Sequence, residues 1–215
     1  MENVKFIDEL ILRYPKLMDI SYKIDEAAER IIRCYQNGNK VLICGNGGSS
    51  SDSDHIAGEL LKGFEQRRPL DESVRKQLTS VSGERGAYLA EKLQTGLPAI
   101  SLSAHTGAVT AIVNDIDASL IYAQQVVAFG SPGDVLLGIS TSGNAQNVID
   151  AAVTARALEM TVIGLTGETG GKLKSFCDIL INVPEKRTSY VQELHLPVYH
   201  TLCLIIENYF FGSEK

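Results

Sequence analysis

The chain has 215 residues, 44% hydrophobic and 21% charged, a balance that supports one well-buried domain spanning 1–215. A formal net charge of -6 speaks against a surface built to hold a polyanion, so no nucleic acid is expected as a partner. The opening stretch MENVKFIDEL is charged, and no stretch approaches the length that spans a bilayer, so we expect no membrane partner and a cytoplasmic location. In chain order, residues 3–37 read as helix, interrupted by Pro15 and stopped by QNGN. These apolar helices lie outside the strand pattern, and segment 1–37 is expected to serve oligomer contacts. Five short β-branched runs follow: KVLICG, PAISLSAH, DVLLGIS, TVIGLTG and CDILINV. Each ends in a glycine or serine turn and gives way to a helical pattern, which predicts a five-stranded parallel sheet covered on both faces. The fold class is therefore α/β, a doubly wound three-layer α/β/α sandwich. Segment 67–96, RRPLDESVRKQLTSVSGERGAYLAEKLQTG, is polar and partly helical, and is expected as a surface insertion or lid. The last run, SYVQELHLPVYHTLCLIIENYFF, predicts one long helix carrying Pro197. Cys34, Cys44, Cys177 and Cys203 lack CxxC spacing and are expected to stay reduced.

Two loops fall where open parallel sheets bind ligands, beyond the carboxyl ends of the strands. The first, GNGGSSS after strand one, has no Gly-Lys-Ser/Thr ending, and Ser50 stands where GxGxxG needs its third glycine, so no nucleotide cofactor is expected. The second, STSGN at 140–144, opens a helix. Hydroxyls and backbone N–H groups at a helix N-terminus favour an anion, though the same hydroxyls can simply cap the helix. Two such loops at one sheet edge point to a phosphorylated small molecule. His55 and Glu59 stand four apart on the helix after the first loop and share a face. Gln192 and His200, eight apart on the terminal helix, can share one too.

Together CGNGGSSSDSDHIAGEL, VND at 113–115, GDVLLGISTSGN and QELHLPVYH resemble the SIS (sugar isomerase) domain family, and within it the phosphoheptose isomerases. The resemblance runs from about residue 20 to the end, in the family's order. It implies a flavodoxin-like sandwich and an aldose–ketose isomerase acting on sedoheptulose 7-phosphate in heptose biosynthesis. Glu59 matches the family's catalytic carboxylate and His200 its catalytic histidine. Such isomerisation needs a base, an acid and groups that hold the sugar oxygens. Matching substrate positions are Asn46, Gly47, Gly48, Ser49, Glu59, Asn114, Asp115, Ser140, Thr141, Ser142 and Gln192. His55, Glu59, Gln192 and His200 match a metal position, and two imidazoles, a carboxylate and an amide oxygen suit zinc. The resemblance also implies a homotetramer with sites between subunits and His200 supplied by a neighbour. His105 and His195 gain no such support. Ala145 replaces a hydroxyl common in the family and Ser189 an aspartate, which together with segment 67–96 leaves the sugar open. The rival readings are isomerisation or sensing of another sugar phosphate, and a non-catalytic protein that works through protein contacts, like the bacterial replication-initiator-associating protein.

Overall fold

The computed structural model describes residues 3–212. Helices α1 (Asn3–Arg13) and α2 (Ser21–Gln36) are separated by a 3-10 turn over Pro15–Ile20, whose proline sits in the first turn, where an N–H has no intrahelical partner. The five apolar runs are the five strands: β1 (Val41–Gly45), β2 (Ala99–Ser101), β3 (Val135–Ser140), β4 (Thr161–Thr166) and β5 (Ile179–Asn182). They form one parallel sheet in the order β2-β1-β3-β4-β5. β1 and β3 are buried at every residue because helices cover both faces. Alternate side chains serve alternate cores. Val41, Ile43, Val135, Leu137 and Ile139 pack with α2, with α3 (Gly48–Leu61) and with α8 (Thr188–Phe211). Leu42, Cys44, Leu136 and Val162 pack with α6 (Ala123–Phe129) and α7 (Gln146–Ala157).

The polar segment predicted as an insertion contains α4 (Glu72–Lys92), and α5 (Thr106–Asp115) follows β2. α4 is broken at Ser82 and Gly83, where Gly83 takes φ +46°, a value that favours glycine. The two halves fold back on one another, so closely that a Cβ at Gly86 would overlap the Leu78 carbonyl. Among the described residues no helix is long and apolar enough to cross a membrane.

α3 and α8 lie side by side and run in the same direction. The Gln192 amide rests against Gly48, and the His200 ring stands 5.1 Å from the His55 ring. Further along, Glu207 Oε1 accepts the Phe64 N–H at 2.8 Å and Oε2 accepts that of Glu65 at 2.9 Å. α8 passes through Pro197 without ending, and the Thr201 hydroxyl donates to the Pro197 carbonyl.

A buried ion pair fixes this register. Arg68 and Glu207 are 0% and 1% exposed, and Arg68 Nε donates to Glu207 Oε1 at 2.9 Å. The other guanidinium nitrogens donate to the Leu60 and Glu59 carbonyls at 2.8 and 3.1 Å, at the end of α3. The Phe211 ring covers the guanidinium at 4.8 Å. Arg68→Met strips the cation and leaves a buried carboxylate, and should cost about 3–5 kcal/mol in urea unfolding. Adding Glu207→Leu to that variant should recover part of the loss.

His195 is a second buried polar group on α8, fully inaccessible and packed toward the end of β4. Neither ring nitrogen has a well-aligned hydrogen bond, and the Thr166 backbone offers only a weak opposing pull. Burial pushes its pKa from 6.5 down to about 4. The unfolded chain therefore takes up the proton first: this contribution to stability is complete above about pH 6.5 and is lost as pH falls toward 4. At about 1.4 kcal/mol per unit the loss is about 3 kcal/mol. Unfolding curves across that window should show it, and His195→Leu should flatten them.

Candidate functional site

The flavodoxin-like strand order places its switch point between β1 and β3, and the two glycine and serine loops sit together there. Asn46 and Asn147 exchange side-chain hydrogen bonds of 2.8 and 2.9 Å, tying the first loop to α7. The Tyr122 hydroxyl lies against the Gly45 carbonyl and 3.1 Å from Asn46 Oδ1. Ser49 is buried and its carbonyl accepts the Ser53 hydroxyl at 2.8 Å. Gly48 opens α3, and the Gln192 amide stands where a Cβ would be, so a glycine is required for that approach. Gln192 thus joins Asn46, Gly47, Gly48 and Ser49 in one place.

Ser140 ends β3, and Thr141 and Ser142 lead to α7. Capping is not their task. The N-cap position is Ala145, which has no hydroxyl, and no side chain caps α7. Instead the loop is braced by residues 167–173: the Leu173 N–H donates to the Gly143 carbonyl at 2.9 Å, and the Lys172 N–H to Asn144 Oδ1 at 3.1 Å. This leaves the N-terminal N–H groups of α7 facing the switch point with their partial positive charge.

The second group lies two turns down α3. His55 Nε2 is 3.2 Å from Glu59 Oε1, and Lys62 Nζ is 2.7 Å from Glu59 Oε2. The His55 ring meets the Tyr199 and His200 rings edge-on at 5.5 and 5.1 Å. Glu59 is largely covered, its side chain 12% exposed against 41% for His55. His200 Nε2 has no hydrogen-bond partner, and the ring lines a cleft of about 390 Å³ between α1, Phe64 and α8. Burial, helped by the neighbouring His55 and Arg13 and opposed by Glu59, holds the His200 pKa below the ordinary imidazole value. Its neutral ring can both take and give a proton. Burial raises the Asp52 pKa, an effect opposed by its bond from Tyr199.

One chain therefore brings His55, Glu59 and His200 together, because its α3 and α8 pack in that register. The proposed metal set does not converge within the chain. Gln192 lies against Gly48, and at 1.5 Å per residue it is about 12 Å along α8 from His200. Among the described residues no group of three or more His, Cys, Asp or Glu side chains is arranged to hold a metal ion. The unpartnered His200 Nε2 fits such a role, while the position of Gln192 does not. Asn114 and Asp115 end α5, exposed and hydrogen-bonded to one another at 2.7 Å. His105 bonds to Gln125 at 3.0 Å in a structural contact. Sequence reasoning missed Asp52, Lys62 and Tyr199. The first two stand at i, i+3 spacing from His55 and Glu59 and carried a readable signal, but nothing local marks Tyr199.

Comparison with known proteins identifies the family and the fold. The SIS domain family matches residues 6–94 and 84–167. The phosphoheptose isomerase of Trichlorobacter lovleyi is 40% identical over 205 residues, 95% of this chain and 91% of that protein. The phosphoheptose isomerase of Laribacter hongkongensis is 37% identical over 215 residues, 99% and 96% of the two chains. Among solved structures, phosphoheptose isomerase GmhA from Neisseria gonorrhoeae superposes with a TM-score of 0.70 at 36% identity, over 93% of this chain and 94% of that one.

Proposed function

The chain belongs to the SIS domain family, and we propose that it is an aldose–ketose isomerase converting sedoheptulose 7-phosphate to D-glycero-D-manno-heptose 7-phosphate. The observation that carries this is the partly buried Glu59 carboxylate, held between His55 and Lys62 beside the unpartnered nitrogen of His200. Glu59 takes a proton from C1 of the open-chain ketose, giving the enediol, and returns it to C2. His200 accepts the O1 proton and delivers one to O2, so that the carbonyl moves to C1 with no net change in protons. The Lys62 ammonium limits the charge that builds near the enediol oxygens. Ser140, Thr141, Ser142 and the start of α7 hold the phosphate, and Asn46 to Ser49 with Gln192 hold the sugar. Retention of Glu59, His200 and both loops favours an enzyme over a purely protein-binding member of the family.

The two groups of residues stand apart. Glu59 is eleven residues along α3 from Gly48, about 16 Å at 1.5 Å per residue. Eight bonds join C1 to the phosphorus, and at about 3.5 Å per three bonds the substrate spans about 9 Å. We therefore propose that the active site forms between subunits of a homotetramer, the phosphate loops and Gln192 from one copy meeting His55, Glu59 and His200 of another. Zinc belongs to the proposal only for that assembled site, where a second copy brings a Gln192 to the trio, and the proton transfers above are assigned to the side chains alone.

Glu59→Gln should lower turnover of sedoheptulose 7-phosphate by at least about a hundredfold while the protein stays folded. Unchanged turnover would remove Glu59 from the chemistry. Mixing subunits tests the division of the site. Refolded mixtures of Glu59→Gln and Gln192→Ala chains should regain activity, because some sites then receive both native groups. Mixtures of Glu59→Gln and His200→Ala should not, since one chain supplies both residues.

A further inference from the structure

Asn46 lies between Gly45 and Gly47, exposed at the switch point, and Gly47 takes φ +57°. An exposed amide in such a loop would sample several rotamers, and a ligand would have to order it on binding. Here it is already ordered. It exchanges bonds of 2.8 and 2.9 Å with the Asn147 amide, and the hydroxyl of Tyr122, a residue 3% exposed, stands 3.1 Å from it. Two facing amides exchange two bonds whichever way round both are turned, so the contact does not depend on which terminal atom is the oxygen. An asparagine amide has two donor and two acceptor positions. Asn147 uses one of each and Tyr122 a third, which leaves one. A hydroxyl can serve that position whether it donates or accepts, so the group left open suits a sugar oxygen.

We propose that Asn147 is a positioning residue: its side chain holds the Asn46 amide ready for a hydroxyl of the substrate, and its place in α7 joins the sugar-holding loop to the phosphate-holding one. The proposal deepens the isomerase reading and, as a statement about function, rests on it. Asn147 is the second residue of α7, inside the first turn, whose N–H groups lack intrahelical partners. One residue thus carries a backbone N–H on the phosphate side and a side-chain amide on the sugar side. Tyr122 supports the same amide from the core: its hydroxyl also lies against the Gly45 carbonyl, and the residue belongs to the buried cluster with Leu42 and Val126. Asn46 holds the sugar away from the C1 proton transfer assigned to Glu59. Its contact is therefore made equally in the ground state and the transition state, and loss of the clamp acts on KM rather than on kcat.

The test uses the full chain and Asn147→Ala, which keeps the backbone N–H and places a good helix former at that position. KM for sedoheptulose 7-phosphate should rise about tenfold, the effect of losing about one hydrogen bond, with kcat within about twofold. The inhibition constant of inorganic phosphate should stay at its native value, because the start of α7 is intact. In the Asn46→Ala background Asn147→Ala should add nothing, since its effect passes through Asn46. An unchanged KM, a phosphate constant that rises in step with it, or additive effects in the double variant overturns the proposal. A second readout needs no ligand. The Asn46–Gly47 pair can cyclise: the Gly47 nitrogen attacks Asn46 Cγ, ammonia leaves, and water opens the succinimide to aspartate or isoaspartate. Conversion at Asn46 during ageing at neutral pH is read by peptide mass and normalised to a second Asn–Gly pair, Asn37–Gly38. It should be several times faster in Asn147→Ala, where the amide is no longer held, and equal rates in the two proteins overturn the clamp. If the native protein turns over no sedoheptulose 7-phosphate, the isomerase reading fails, and the ageing rates still decide whether Asn147 holds Asn46.

Discussion

The contact between Arg68 and Glu207 sets the position of α8 against α3, and with it that of His55, Glu59, Gln192 and His200. Moving two charges out of water is expensive, and it is tolerated only where every donor and acceptor is used. Here the carboxylate takes three backbone N–H groups, from Phe64, Glu65 and Gln66, as well as the guanidinium. The guanidinium in turn donates to the Glu59 carbonyl and to the Leu60 carbonyl, which also accepts the Leu97 N–H, and lies at the negative end of α3. A shift of α8 by one turn would break all of these bonds together. The pair therefore acts as a register pin, and the residues upstream on both helices inherit their placement from it.

That inheritance explains the separation of the chemistry into two groups. Parallel helices with a fixed register match Gly48 to Gln192 and His55 to His200, so residues eight apart on α8 serve different ends of α3. The sheet edge collects backbone N–H groups, hydroxyls and amides, which suit a phosphate and neutral sugar oxygens. The far end of α3 collects a carboxylate, two imidazoles and an ammonium, which suit proton transfer. A rigid helix cannot bend to merge them, and this favours a site completed by another copy over one closed by a hinge.

Much of this was legible in the residues. The five runs of KVLICG type specify strands because β-branched side chains buried on both faces leave few alternatives, and the glycine and serine loops locate the ligand edge. Helix periodicity likewise put His55 and Glu59 on one face. It did not reveal the relation between α3 and α8. That relation depends on Arg68, whose burial against a glutamate 139 residues away has no local signature. The same limit applies to Gln192 and His200: sharing a helix face was readable, but two turns of separation pointing to different subsites was not. Segment 67–96 was identified as polar and helical, but its reversal depends on φ at Gly83 and the contact at Gly86, which composition does not encode.

The Glu59 carboxylate must be ionised to act as a base, yet an ionised carboxylate held too tightly cannot accept a carbon-bound proton. Its two neighbours address this differently. Lys62 is 55% exposed, and a pair between a flexible surface ammonium and a carboxylate is worth at most about 1 kcal/mol, so an arriving sugar hydroxyl can displace it at little cost. His55 is tethered at Nδ1 by the Tyr199 hydroxyl. One oxygen of Glu59 thus faces a movable cation and the other a tethered ring. That asymmetry distinguishes the two oxygens before any substrate arrives. In the proposed isomerisation Oε2, released when Lys62 moves, is the oxygen assigned to the C1 proton, while Oε1 stays beside the imidazole.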